Sequence, residues 1–195
     1  MQERVLASGG MNHKQLTLAF LTPEENDHWL NKLASYVSNG YCHVELIFDA
    51  HKAQNTNKSL AFSVQSGEFV RLKGKSFKNP RYDYVTLSVP QQQYDMAYEF
   101  AESATNKQIA FSNLDMSLSL VHPGACAHRP SLASGHSFCS KIIAETLQHA
   151  NCPEVDSLCP SSATPGSLYN AVCRSQRRVT TCIKLKTDIQ SMRYM

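Results

Sequence analysis

The chain has 195 residues, 42% of them hydrophobic and 18% charged, and a formal net charge of +3. That is enough sequence for one well-packed core, and no composition shift divides it. A single domain is therefore expected, with its core over about residues 13–187 and residues 1–12 as a flexible N-terminal extension. Lysine and arginine are scattered, which argues against nucleic acid or a membrane surface as the main partner. No apolar run approaches the roughly 20 residues that cross a bilayer, and residues 1–12 lack the apolar centre of a signal peptide. The seven cysteines form no regular framework, so they read as free thiols in a reducing, cytoplasmic setting.

Taken in order, residues 15–21 (QLTLAFL) pass from alternating to continuously apolar, as a partly buried strand does. Thr22, Pro23 and Glu25 form a capping box, predicting a helix that starts there. Its apolar positions are Trp29, Leu30, Leu33, Tyr36 and Val37, and Asn39-Gly40 closes it. Residues 41–49 (YCHVELIFD) alternate as a strand, placing Tyr41, His43, Glu45 and Ile47 on one face and Cys42, Val44, Leu46 and Phe48 on the other. Burying His43 beside Glu45 is costly unless the pair is satisfied or faces a cleft.

Residues 51–58 read as a loop. A hairpin over 60–65 and 68–72 turns at Ser66-Gly67, and a basic exposed connection containing Lys73, Lys75 and Lys78 follows. A strand over 82–89 ends at Pro90, and residues 91–106 carry helical spacing in Tyr94, Ala97, Tyr98 and Ala101. Residues 109–121 hold a short helix. Residues 122–135 are a long Pro/Gly/Ala/Ser-rich loop that feeds a helix over 139–149. A second such loop covers 151–165, a short helix begins at Pro165, and residues 179–187 alternate as a last strand. Arg174, Arg177 and Arg178, placed just before that strand, read as a solvated edge that discourages pairing.

The run GHSFCS, residues 135–140, carries the chemistry. A cysteine in the first turn of a helix sits among backbone N–H groups without intrahelical partners, which favours the thiolate. Cys139 is therefore the candidate nucleophile and His43 the candidate base. Glu45 is the first candidate to orient the imidazole, because a side chain two along the same strand face lies about 7 Å away at the Cα level. Ser63 and Gln65 on the neighbouring strand are alternatives. The backbone N–H of Cys139 is a donor for an oxyanion.

The segments CHVELIF and SFCSKIIAETL, in that order, resemble the two signatures of the circularly permuted papain-like hydrolases of the NlpC-type superfamily. The chain looks most similar to the uncharacterised viral and phage members and to the YiiX-like proteins. Their Thr-Pro-x-x-Leu-Tyr element is matched by Thr164, Pro165, Leu168 and Tyr169. The resemblance spans roughly residues 40–172. It implies an α+β fold in which an antiparallel sheet bearing the histidine packs against the cysteine helix. It also implies that Cys139 is nucleophile and His43 base, that no cofactor is needed, and that the substrate is a peptide, lipid or acyl conjugate. A viral source would place the protein in host cytoplasm or in the virion. In some relatives a second histidine on the next strand orients the ring, but residues 60–72 contain none, which leaves only His51 in its loop for that variant.

Two other readings compete. Cys126, His128, His136 and Cys139 could supply four zinc ligands, though at irregular spacing and at the expense of the nucleophile. A papain-like fold could also serve binding without turnover. Cys152, Cys159, Cys173 and Cys182 show no spacing with a chemical meaning and read as idle thiols.

Overall fold

The computed structural model describes residues 12–27, 29–48, 58–78, 80–121 and 130–179. The predicted N-terminal extension and the loop over 51–57 lie outside them, as do most of the loop over 122–135 and residues 180–187 of the predicted last strand.

The fold is α+β. Strands β1 (His13–Leu21), β2 (His43–Phe48), β3 (Ser59–Ser63), β4 (Arg71–Lys75) and β5 (Tyr82–Pro90) form one antiparallel sheet in the order β4-β3-β2-β1-β5. Among the described residues the helices are α1 (Trp29–Val37), α2 (Gln91–Asn106), α3 (Asn113–Val121), α4 (Ser131–Ser134), α5 (Cys139–His149) and α6 (Pro165–Val179), with 3-10 turns at Pro153–Val155 and Pro160–Ser162. A short parallel pair joins β6 (Ala110–Phe111) to β7 (His136–Ser137).

The period of two decides which residues make the core. Leu16, Leu18 and Phe20 of β1, Val44, Leu46 and Phe48 of β2, and Val85, Leu87 and Val89 of β5 point to one face. There they meet Ile142, Ile143 and Leu147 of α5 and Tyr94, Ala97, Phe100 and Ala101 of α2. The register stacks like on like: Leu18 stands opposite Leu46 on one side and Val85 on the other. The opposite face is also covered. Ala19, Ile47 and Tyr82 pack there with Leu21, Phe77 and Tyr84, and Thr17 hydrogen-bonds Thr86 at 3.0 Å across the ladder.

Several expectations are corrected. The capping box at Thr22 does not form, because the Thr22 hydroxyl donates to the Arg81 carbonyl at 3.1 Å, and the helix begins only at Trp29. Four of its five apolar positions are exposed: Trp29 is 63% and Tyr36 89% exposed, with Leu33 and Val37 exposed beside them, while Ala34 faces inward. The Asn39-Gly40 stop is as expected, both residues having positive φ, with the Gly40 N–H returning to Ser35.

Tyr41 precedes the β2 ladder and so escapes its alternation. It packs in the main core against Phe20 and Tyr169 rather than on the His43 face. The second arm of the hairpin lies at Arg71–Lys75, later than residues 68–72, so Lys73 and Lys75 belong to an edge strand and not to a connection. Helix α6 runs through Val179, so Arg174, Arg177 and Arg178 lie in a helix.

Candidate functional site

Cys139 opens α5. Phe138 before it is extended, at φ −138° and ψ 168°, and no side chain caps the helix. The first-turn N–H groups are therefore left to the cysteine and its surroundings. The segment ahead is fixed by α4, whose Ser131 N–H reaches both carboxylate oxygens of Glu145 at 3.1 and 3.2 Å. Ser131 Oγ meets Ser137 Oγ at 2.8 Å, and Gly135 takes the left-handed conformation that lets the chain turn into β7. Ser140 Oγ donates to the Ala163 carbonyl at 2.7 Å, tying the start of α5 to the loop before α6.

His43 is the first residue of β2, opposite Leu21 of β1. Its ring and the Cys139 side chain interact by hydrogen bond and charge. Nε2 lies 3.5 Å from Glu45 Oε1 and 3.4 Å from Ser63 Oγ. Ser63 also donates to the Val44 carbonyl at 2.9 Å, which holds its oxygen in place. The structure thus brings together Cys139, His43 and Glu45, with Ser63, the alternative orienter, as a fourth member. Gln65 lines the same cavity.

Electrostatics separate this thiol from the others. Burial opposes the Cys139 thiolate, but the charge and hydrogen bond of His43 outweigh it, helped by the N–H groups of Val44 and Ser140, and the thiol titrates below the ordinary cysteine range. Burial likewise opposes the His43 imidazolium, yet Cys139 and Glu45 push it up to about 9. Glu45, 2% exposed, would be raised by burial, but His43 and Lys75 bring it down to about 2. By contrast, burial and the Asp27 charge push Cys42 up to about 11, and burial with nearby Glu154 pushes Cys152 up to about 12. Cys42 lines the same cavity but is a protonated thiol at neutral pH.

The cavity above the pair is about 510 Å³. Leu21, Ala34, Phe111 and Met116 give it apolar lining, and Asn31, Asn113 and Gln65 add amides. Helices α1 and α3 are its walls.

Two features escaped sequence reading. Lys75, expected in an exposed connection, contacts Glu45 Oε1, and Tyr82 OH lies 3.1 Å from the same oxygen. The only available signal was negative: a buried glutamate two residues from a histidine needs a further partner. Cys159 is disulfide-bonded, against the expectation of an idle thiol.

For the zinc alternative, His136 is exposed on β7 while Cys139 is buried against His43, and Cys126 and His128 lie outside the described residues. Among the described residues no group of three His, Cys, Asp or Glu side chains is arranged to hold a metal ion, and no helix is long and apolar enough to cross a membrane. No protein-family model matches the chain, and neither a curated protein nor a solved structure does.

Proposed function

We propose that the protein is a thiol hydrolase or acyltransferase with a circularly permuted papain-like arrangement, in which the histidine strand precedes the cysteine helix. The observation that carries this reading is the contact of Cys139 with His43 at the head of α5, with Glu45 and Ser63 beside the ring's Nε2. With Nε2 so engaged, Nδ1 is left to exchange a proton with the sulfur.

The Cys139 thiolate attacks the carbonyl carbon of an amide, ester or thioester, and the carbonyl π electrons move to oxygen. The backbone N–H groups of the first turn of α5 face that oxyanion. As the tetrahedral species collapses, the His43 imidazolium gives its proton to the departing nitrogen, oxygen or sulfur, leaving an acyl-cysteine. Neutral His43 then takes a proton from water or an acceptor alcohol or amine, which attacks the acyl group and releases the thiolate. Every proton moves between the substrate, the attacking water or acceptor, and His43 of this chain.

The test is covalent labelling with a panel of carbonyl electrophiles spanning amide, ester and thioester mimics. The wild type should label at Cys139, and labelling should be abolished in Cys139→Ala and strongly reduced in His43→Ala. Equal labelling of the three proteins would remove the enzyme reading.

A further inference from the structure

We propose, resting on the dyad reading above, that Lys75 is a positioning residue: it holds Glu45 in place and shares its charge, so that His43 is oriented by a carboxylate that is partly neutralised. Three donors converge on one oxygen, Glu45 Oε1. His43 Nε2 is the most distant at 3.5 Å, Tyr82 OH stands at 3.1 Å, and Lys75 Nζ makes the closest contact. The ammonium also donates to Tyr82 OH at 2.9 Å and lies 5.2 Å from the Phe77 ring centroid and 5.3 Å from that of Tyr82.

Lysines on an edge strand ordinarily turn to solvent and keep the edge from pairing. Arg71 does otherwise only to meet Glu68 within its own turn. Lys75 instead reaches past β3 to a carboxylate on β2, the next strand but one from its own. Since Glu45 is buried to 2% exposure, its full charge acting on His43 alone would hold the imidazolium too tightly for it to serve as an acid toward a leaving group. A shared carboxylate orients the ring while leaving the proton transferable.

The groups facing this cluster come from each element around it: Glu45 on β2, Ser63 on β3, Lys75 on β4, Tyr82 and Tyr84 on β5, and Cys139 on α5, with Cys42 beside the cleft and Arg81 and Asp27, themselves an ion pair, acting on Tyr82 and Cys42 from outside it. Among them Glu45 and Lys75 are an opposed pair of unit charges, and that pairing sets the test. Removing Lys75 alone leaves a net negative charge near Cys139 and His43, so both should hold their protons to higher pH. Removing the Glu45 charge alone should do the reverse.

The experiment uses the full chain with two readouts that need no substrate: site-resolved iodoacetamide alkylation of Cys139 against pH, and NMR titration of isotopically labelled His43. Lys75→Met should shift both transitions upward by about one pH unit. Glu45→Gln should shift them downward, the double variant should return them to the wild-type positions, and Lys75→Arg should leave them there. Unmoved transitions in Lys75→Met, or a shift that persists in the double variant, would overturn the assignment. If Lys75→Met does not fold, Glu45→Gln and the double variant decide it, since a lysine without this role predicts no difference between them. The two readings fail separately. The full set of shifts without turnover of any acyl substrate would sink the hydrolase and keep Lys75 in this role, and turnover with unmoved transitions would do the opposite.

Discussion

Gly166, near the start of α6, lies directly against Ser38 at the end of α1: its N–H donates to Ser38 Oγ at 2.7 Å, and a Cβ at that position would overlap the Ser38 carbonyl. The contact joins the cleft wall that carries Asn31 and Ala34 to a helix 128 residues further along the chain. The clash is with backbone, which cannot rotate away as a side chain would.

Gly166→Ala should therefore destabilise the fold by about 1–3 kcal/mol, the ordinary cost of overpacking. For a chain of this size that corresponds to a fall in Tm of roughly 3–10 °C. Ser38→Ala keeps the space and loses only the acceptor, so it should cost about 1 kcal/mol. Thermal unfolding of both variants checks the ranking, and an unchanged Tm for Gly166→Ala would mean that the two helices do not meet this way.

A second prediction concerns the approach to the nucleophile. Both oxygens of buried Glu145 accept the Ser131 N–H, which fixes α4 and, through it, the segment that delivers Cys139. Glu145→Ala leaves that N–H buried and unsatisfied at a cost of about 1–3 kcal/mol, whereas Glu145→Gln retains one acceptor and should cost less. Hydrogen exchange should show the loss concentrated at Ser131 and its neighbours. Uniform loss over the sheet would contradict a local role.

What could be read directly in the sequence was what is local. The alternation in β1, β2 and β5, the Asn39-Gly40 stop and the cysteine at the head of α5 each depend on neighbours within a few residues, and each is found. What could not be read depends on distant partners. Thr22 looked like a helix cap, but its hydroxyl is taken by the carbonyl of Arg81, whose guanidinium also pairs with Glu24 and Asp27 across the turn between them. Lys75 looked solvated because its partner, Glu45, lies on a strand that no spacing rule connects to it. At the site, Cys139, His43 and Glu45 were legible as residue types and positions, while the sharing of Glu45 with Lys75 and Tyr82 was not.

The apolar stripe of α1 supplies a third prediction. Trp29, Leu33 and Tyr36 recur at helical spacing, yet they point away from the core, and Ala34 makes the inward contact. Trp29→Gln and Tyr36→Gln should each change stability by no more than about 0.5 kcal/mol, as exposed substitutions do. Ala34→Asp, on the inward face, should be clearly destabilising. Urea midpoints would reveal a different packing of α1 if the order were reversed.

The pH dependence follows from the signs of the shifts at Cys139, His43 and Glu45. As pH rises, Cys139 loses its proton below the ordinary thiol range because the His43 imidazolium is beside it, so alkylation by iodoacetamide should already be fast where free cysteine is still protonated. Turnover also needs the imidazolium proton for the leaving group, and His43 loses it at about 9, so hydrolysis should fall along an alkaline limb near that pH while alkylation does not. For stability, the raised His43 contributes fully below its ordinary 6.5, and that contribution is lost as pH rises through about 9. The depressed Glu45 contributes fully above its ordinary 4.5, and its contribution is lost as pH falls toward about 2. Urea unfolding across pH should accordingly show an alkaline decline that weakens in His43→Ala and an acid decline that weakens in Glu45→Gln. The kinetic comparison is the sharper one: if Cys139 alkylation rises only in the range of free cysteine, or if hydrolysis and alkylation share the same alkaline behaviour, the thiolate–imidazolium pair is not the reactive form.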